Sequence, residues 1–305
     1  MSKCAFIAII GRPSVGKSAL LNRICGEKVA IVSSVPQTTR NAIRGIKTCE
    51  QGQLIFIDTP GRHTSKRKLN KRLLNVSDRA LQECDIVLYV LDAARAPGIE
   101  EGEIVSLLTP LADKTIVAIN KTDAPGADIN RAKEYVSLNL KLQEKHNAAA
   151  SDNLSIYPVS AKTGEGIEKL LDALYALAPL GDALYGEDYY TDQETSFRIA
   201  EIIREQAINR LRQEIPHSLY VDIADLEYKE TENKLWVRAF IIVERESQKG
   251  IVVGKGGEMI KKIRMGSLEN LKKIFDWKID IDLRVKSKKD WRSSDNILRK
   301  LIDIQ

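Results

Sequence analysis

A chain of 305 residues is too long for the usual single domain, and 43% hydrophobic with 29% charged residues argues against collagen-like, disordered and disulfide-scaffold classes. The formal net charge of +5 is unevenly placed: Arg245 to Lys300 carries 16 Lys and Arg against 8 Asp and Glu, which marks the C-terminal part for contact with a polyanion. Cys4, Cys25, Cys49 and Cys84 have no paired spacing, so they argue against a zinc site and read as reduced thiols; no apolar run is long enough to cross a bilayer. A cytoplasmic protein is expected. Peripheral association with an anionic membrane face through the basic region is compatible with this, because electrostatics alone can supply it.

In chain order, the apolar run Ala5 to Ile10 reads as a buried strand, and Gly11-Arg12-Pro13-Ser14-Val15-Gly16-Lys17-Ser18 follows it directly, before a helix over Lys17 to Cys25. Backbone N–H groups of such a loop converge on phosphate oxygens, and the helix adds its positive dipole end. Lys17 then reaches the terminal phosphates and Ser18 ligates Mg²⁺. The polar loop Val32 to Arg40 comes next and is expected to close over a triphosphate and release after hydrolysis. Within it Thr39 is the first choice and Thr38 the second for a hydroxyl on Mg²⁺. An edge strand over Ile43 to Cys49 pairs antiparallel to the strand Leu54 to Ile57, whose end carries Asp58-Thr59-Pro60-Gly61. Asp58 is placed to hold Mg²⁺ through water, and Gly61 to offer its N–H to a terminal phosphate.

Helices over Lys68 to Gln82, Glu101 to Leu111, Asn130 to His146 and Gly166 to Leu177 alternate with strands Ile86 to Leu91, Thr115 to Ile119 and Ser155 to Val159. That order predicts a mostly parallel sheet with helices on both faces and a ligand at the C-terminal strand ends. Asn120-Lys121-Thr122-Asp123 follows one such end. A carboxylate at Asp123 accepts two hydrogen bonds from the ring N–H and exocyclic amine of guanine, while adenine offers an acceptor there and lacks the amine. A site of that kind rejects the wrong base by about 10⁴-fold or more. GTP and GDP are therefore expected over ATP. Lys121 packs its stem over the base, and Asn120 ties this loop to the phosphate loop. Ser160-Ala161-Lys162, at another strand end, suits a loop that donates backbone N–H to the guanine oxygen.

Pro179, Gly181 and Gly186 punctuate an acidic, tyrosine-rich stretch read as a linker over 179–194, between domains at 1–178 and 195–305. The second domain reads as a helix over Ser196 to Gln213, strands over Ser218 to Tyr228 and Lys234 to Glu244, two helices interrupted by glycines, and a strand over Lys278 to Val285. Gly250-Ile251-Val252-Val253-Gly254-Lys255-Gly256-Gly257 precedes the longer helix Glu258 to Ile274. A Gly-x-x-Gly turn between helices lets a nucleic-acid backbone approach, with Lys255 facing phosphate; Ile251, Val252 and Val253 line a groove for single-stranded bases, and Ile279 to Leu283 wall it. Lys261 and Lys286 extend the basic surface. Trp277 and Trp291 are read as core packing before base stacking. This order resembles a KH domain of the type whose extra helix and strand come first.

Taken together, the motifs make the chain similar to the Era family, bacterial GTPases of small ribosomal subunit assembly, over essentially its whole length. The resemblance implies an α/β P-loop GTPase domain followed by an α+β type II KH domain, with GTP or GDP and Mg²⁺ as cofactors. It implies the 3′ end of 16S ribosomal RNA and the 30S precursor as partners; nothing in the sequence demands a dimer, so a monomer is expected. Family members generally carry Asn where this chain has Ser14, a residue that can help hold potassium, so potassium stimulation is not carried over. They usually have an apolar residue where this chain has Arg62. Neither version supplies a glutamine to orient water, so slow intrinsic hydrolysis is expected from positioning and charge neutralisation, with Arg62 or Arg40 as candidates for added positive charge. Two other readings use the same residues: a membrane-surface signalling GTPase with incidental RNA contact, and a nucleotide-dependent RNA chaperone without productive turnover.

Overall fold

The computed structural model describes residues 2–36, 38–61, 68–140 and 155–302. The described residues divide into two compact units, one drawn from 2–30 and 39–192, the other from 31–38 and 193–302.

The first unit is built on strands β1 (Lys3–Ile10), β2 (Ile43–Cys49), β3 (Gly52–Asp58), β4 (Ile86–Asp92), β5 (Thr115–Asn120) and β6 (Ile156–Pro158), in the spatial order β2-β3-β1-β4-β5-β6. All neighbours pair parallel except β2, which runs antiparallel to β3 at the edge. Strands β3, β4 and β5 are buried along their whole length, as strands covered on both faces must be. Helices α1 (Lys17–Cys25), α2 (Lys68–Glu83), α3 (Ile99–Leu108), α4 (Ile129–Asn139) and α5 (Ile167–Leu177) supply the cover. A 3₁₀ turn over Thr109–Lys114 finishes α3 where Pro110 cannot continue an α-helix. The expected extension of α4 to His146 falls outside the described residues. Because β1 pairs with β3 on one side and β4 on the other, chain connections leave it in opposite directions, and the loop after β1 lies in the crevice this creates.

Residues 179–192, read from composition as a linker, are fastened to this first unit. The buried Gln53 amide donates to the Tyr185 carbonyl at 2.9 Å and accepts from the Leu184 and Tyr185 N–H groups at 2.9 and 3.0 Å. The Ile46 N–H donates to the Tyr190 carbonyl at 2.9 Å, and Arg44 pairs with Asp192 at 2.9 Å. The strap thereby satisfies outward groups of the edge strand β2, which would otherwise invite pairing with another chain.

In the second unit, α6 (Thr195–Arg210) precedes β7 (Tyr220–Lys229) and β8 (Lys234–Val243); α7 (Glu246–Val253), α8 (Glu258–Leu271), β9 (Lys278–Ser287) and α9 (Asp295–Ile302) follow. Its sheet has the order β7-β8-β9, antiparallel then parallel. Alternate residues Leu235, Val237, Ala239, Ile241 and Val243 of β8 join Ile279, Ile281 and Val285 of β9 in one core with Ile199, Ile203, Val252 and Ile263 of the helices. Tyr220, Phe240 and Ile242, one residue out of phase, are also buried. Trp291 is fully buried with its ring 4.8 Å from that of Tyr220, its indole N–H donates to the Ser218 carbonyl at 3.0 Å, and Ile297, Leu298 and Ile302 of α9 are buried. Helix α9 was not read from the sequence, where its lysines and arginines were taken only as basic surface.

Ile31 belongs to the same core, the Val32 N–H donates to Glu205 Oε1 at 2.8 Å, and Arg204 donates to the Thr38 carbonyl at 2.6 Å. The front of the loop expected to close over the nucleotide thus packs as part of the second unit, while Thr39 groups with the first.

Candidate functional site

Three chain segments meet where β1 and β3 end. Register sets Ile9 beside Asp58, so the residue that closes β3 lies next to the loop that follows β1. Ser18, at the second position of α1, donates its hydroxyl to Asp58 Oδ2 at 2.5 Å. Thr39 Oγ1 lies 3.0 Å from Ser18 Oγ and 3.4 Å from the same carboxylate oxygen. Of the two threonines, Thr39 is the one brought to this cluster; Thr38 Oγ1 donates instead to the Val35 carbonyl at 2.6 Å. Asp58 is fully buried, and its Oδ1 has no hydrogen-bond partner among the described residues. Two hydroxyls and a carboxylate, one of whose oxygens is buried and unsatisfied, form an all-oxygen donor set that fits Mg²⁺, which is held by one or two protein oxygens together with phosphates and water. Among the described residues there is no group of three His, Cys, Asp or Glu that could hold a metal by itself.

Lys17 is 6% exposed, and its ammonium donates to the Gly11 and Arg12 carbonyls at 2.9 and 3.0 Å. Burial pushes it down to about 8, against the opposing pull of Asp58. The Asp58 carboxyl is pushed up by the same burial, offset by Lys17 and by the Ser18 and Thr39 hydroxyls. A phosphate beside Lys17 and a divalent cation beside Asp58 each restore the charged form. Ser14 holds a left-handed conformation, φ 64°, at the crest of the loop. Thr59 donates its hydroxyl to the Ile9 carbonyl at 2.8 Å, and Ser77 of α2 donates to the Pro60 carbonyl at 3.1 Å, so the segment Asp58-Thr59-Pro60-Gly61 is anchored on both sides. Gly61 lies against Pro13 closely enough that a Cβ there would meet its backbone at 2.7 Å. Arg62, named in the sequence reading, and Gln37 of the Val32 to Arg40 loop lie outside the described residues.

The residues expected from the sequence to select the base gather two strands away. Buried Asn120, at the end of β5, donates to the Val15 carbonyl at 2.9 Å and accepts from the Ala161 N–H at 3.0 Å, so one side chain joins the phosphate loop to Ser160-Ala161-Lys162. Asp123 Oδ1 accepts the Ser160 hydroxyl at 2.6 Å, which holds the carboxyl below its ordinary range, and Lys162 lies 3.8 Å from Oδ2. Lys121 donates to the Ser14 carbonyl and to Asp92 Oδ2, both at 2.7 Å. Sequence reasoning missed Asp92, although it too closes a strand. It also missed Arg23 of α1, which donates to the Ala161 and Lys162 carbonyls at 2.9 and 2.5 Å and steadies that loop. Spacing offers no signal for Arg23, since it acts across 138 residues.

In the second unit the glycine turn joins α7 to α8. Gly254 has φ 76° and ψ 170°, a region closed to side chains, and Gly256 and Gly257 have φ of 60° and 80°. Lys255 and Gly256 are exposed, as is Ile251, at 54%. Val252 is fully buried in the core and Val253 packs against it, so Ile251 is the member of the apolar trio that stands open beside the turn. Lys261 is exposed on α8. Lys286 lies on the sheet face away from Val285, its ammonium 3.4 Å from the Phe240 ring centroid. Trp277 stacks on Phe275 and packs against the core.

A loop that cradles phosphate, an oxygen-lined metal position and a carboxylate set for the guanine edge, joined in one chain to a glycine turn on an α+β sheet, define a P-loop guanine-nucleotide-binding protein with a KH module. Family models agree with both halves: a model described as 50S ribosome-binding GTPase matches residues 6–121, and a KH domain model matches 214–292. GTPase Era of Treponema denticola is 49% identical over 97% of this chain and 98% of its own, and that of Borrelia hermsii is 45% identical over 99% and 100%. Among solved structures, a single-residue variant of Aquifex aeolicus Era bound to GDP and AlF₄⁻ has a TM-score of 0.88 at 32% identity, covering 97% of this chain and 98% of its own. Era in complex with MgGDPNP and nucleotides 1506–1542 of 16S ribosomal RNA has a TM-score of 0.89 at 32% identity, covering 98% of both chains. The chain belongs to the Era family of GTPases.

Proposed function

We propose that this protein is a GTP-hydrolysing switch whose KH module binds the single-stranded 3′ region of 16S ribosomal RNA and that it acts in 30S subunit maturation. The observation that carries the reading is the joint presence, in a chain matched over nearly its full length by a GTPase solved with that RNA, of the Ser18–Thr39–Asp58 cluster and the open Gly254 to Gly257 turn. The small-subunit target rests on these full-length relatives rather than on the description of the family model that matches 6–121.

In this reading the N–H groups of Gly11 to Gly16 and the Lys17 ammonium hold the phosphates. Ser18 and Thr39 ligate Mg²⁺ directly and Asp58 through water; the ion neutralises charge that develops on the phosphoryl oxygens. The N–H of Gly61 binds the terminal phosphate. Asn120 and Lys121 shape the base pocket, Asp123 reads the guanine edge, and Ser160, Ala161 and Lys162 present backbone N–H to the guanine oxygen. Ile251, Val253, Lys255, Gly256 and Lys261 meet RNA directly, with Val252 supporting from the core. Among the described residues no helix is long and apolar enough to cross a membrane. A basic surface can still be drawn to an anionic vesicle.

The test is a pair of titrations: RNA affinity with GTP analogue, GDP and no nucleotide, and nucleotide affinity with and without the RNA fragment. Linkage requires the two coupling factors to be equal. Equal RNA affinity in all three nucleotide states removes the switch, and failure to retain the fragment at moderate ionic strength removes the RNA target.

A further inference from the structure

Arg12 of the phosphate loop forms a buried charge pair with a residue that the motifs do not contain, Glu101. Arg12 and Glu101 are 3% and 2% exposed, and Arg12 Nε lies 2.8 Å from Glu101 Oε1. Glu101 Oε2 accepts the N–H of Gly98 at 2.7 Å, so the carboxylate is itself fixed to the start of α3. We propose that Glu101 is a positioning residue for GTP hydrolysis, holding Arg12, and through it the phosphate loop, against the first turn of α3.

The connections run from this pair to both sides of the phosphate position. The Arg12 carbonyl is one of the two acceptors of Lys17 Nζ. Pro13, the next residue, is the surface against which Gly61 packs. A shift of Arg12 therefore moves the ammonium that meets the terminal phosphates and the bed of the N–H that reads the γ-phosphate. The fully buried Tyr89 hydroxyl, which has no hydrogen-bond partner among the described residues, borders the pair; its titration is pushed up by burial, by Tyr135 and by Glu101, and opposed by Arg12. Buried charges held at such cost are weak evidence of stabilisation, because an apolar pair of similar volume does as well or better. Arg12 Nε makes no aligned hydrogen bond among the described residues despite that distance, so the contact is a charge pair; what a hydrophobic pair does not supply is that attraction between two fixed charges, which holds Arg12 beside the start of α3.

The inference rests on the nucleotide-site reading of Lys17 and Gly61, and its test separates positioning from folding. Glu101→Gln leaves Arg12 buried without a counter-charge; Arg12→Leu/Glu101→Leu removes both charges. Single-turnover GTP hydrolysis at saturating GTP is measured per GDP-titrated site, beside thermal melting. Displacement of this kind is expected to slow hydrolysis about 10- to 100-fold in Glu101→Gln. In the double variant the melting temperature returns toward that of the wild type while hydrolysis stays slow. Glu101→Asp, which keeps the charge, loses less rate than Glu101→Gln. Wild-type rates in Glu101→Gln, or recovery of rate together with stability in the double variant, overturn the proposal. If Glu101→Gln does not fold, the double variant alone decides by the same rate comparison. A wild-type chain that binds no GTP overturns the site reading instead.

Discussion

Gly61→Ala tests whether the close approach of Asp58-Thr59-Pro60-Gly61 to the phosphate loop is what supports hydrolysis. A methyl group at position 61 would lie 2.7 Å from both the Cα and the N of Pro13 and 3.0 Å from its Cγ. Ordinary contact begins near 3.4 Å, so the two backbones must part by about 0.7 Å. Neither side yields easily. The proline ring fixes φ at position 13, and the other segment is held by Thr59 on Ile9 and Ser77 on Pro60. An N–H donor moved by that amount from an ordinary contact of about 2.9 Å leaves hydrogen-bonding range. Removal of one preorganised donor to a transition-state oxyanion costs on the order of 10² to 10³ in rate. Hydrolysis is therefore expected to fall about 100-fold, equivalent to about 2.7 kcal/mol in the barrier. In the proposed reading GDP is held by Lys17, the loop N–H groups and Asp123, so its binding is expected to change little. Single-turnover hydrolysis of labelled GTP beside equilibrium titration with a fluorescent GDP gives both numbers. A variant that hydrolyses GTP at the wild-type rate refutes the argument; so does one that loses GDP and GTP affinity equally with no further loss of rate.

Three other outcomes are expected. In Ser160→Ala the Asp123 carboxyl loses the hydroxyl that holds it below the ordinary range, so its titration moves up; because guanine recognition needs the carboxylate, GDP affinity should start to fall at a higher pH than in the wild type, and coincident acid limbs would show that Ser160 has no such role. Gly254→Ala and Gly256→Asp should separate fold from contact. The first forces a side chain into φ 76°, ψ 170° with Met259 atoms at 2.7 and 2.9 Å and should destabilise the second domain by about 1–3 kcal/mol in denaturant unfolding, whereas the second enters open space at φ 60° and should retain stability while losing RNA retention. Trp291→Ala should cost about 3–5 kcal/mol, because it removes a fully buried ring and leaves the Ser218 carbonyl unpaired; an unfolding midpoint within a few tenths of a kcal/mol of wild type would mean that the C-terminal segment does not cover the sheet.

The candidates for the proposed nucleotide site could be named from the sequence because they lie in short contiguous segments at strand ends. The residues from Gly11 to Ser18 need only a strand before them and a helix after them, and β1 and α1 are where the apolar pattern places them. Asp58, Asn120 and Ser160 were found by the same rule. The rule also covered Asp92 at the end of β4, but a single aspartate without a motif gave no reason to name it; only its 2.7 Å contact with Lys121 does. Glu101, Arg23 and Gln53 were beyond reach for a different reason. Each acts on a backbone or charge far away in sequence, and each contact depends on how helices and strands are laid beside one another.

Composition misdirected where one residue type serves two purposes. Pro179 to Asp192 has the acidic and glycine-punctuated character of a connector, yet the Gln53 amide and the open edge of β2 bind it in place. The stretch after Ser287 has a high density of lysine and arginine, which masked the turn and helix that bury Trp291, Ile297, Leu298 and Ile302. Val252 shows the same ambiguity at one position: its neighbourhood suggested a groove, and the helical repeat turned its side chain inward.

From the order of residues alone follow the two domains, the parallel sheet, the carboxylate proposed to select guanine and the glycine turn, because periodic burial and motif placement are local properties of a chain. Only the folded arrangement decides that Thr39 rather than Thr38 faces Ser18 and Asp58, that Arg12 is pinned by Glu101, and that Trp291 closes the second sheet. Those choices depend on a few ångströms between segments that are distant in sequence, and such distances are set by packing of the whole core rather than by any segment's own preference.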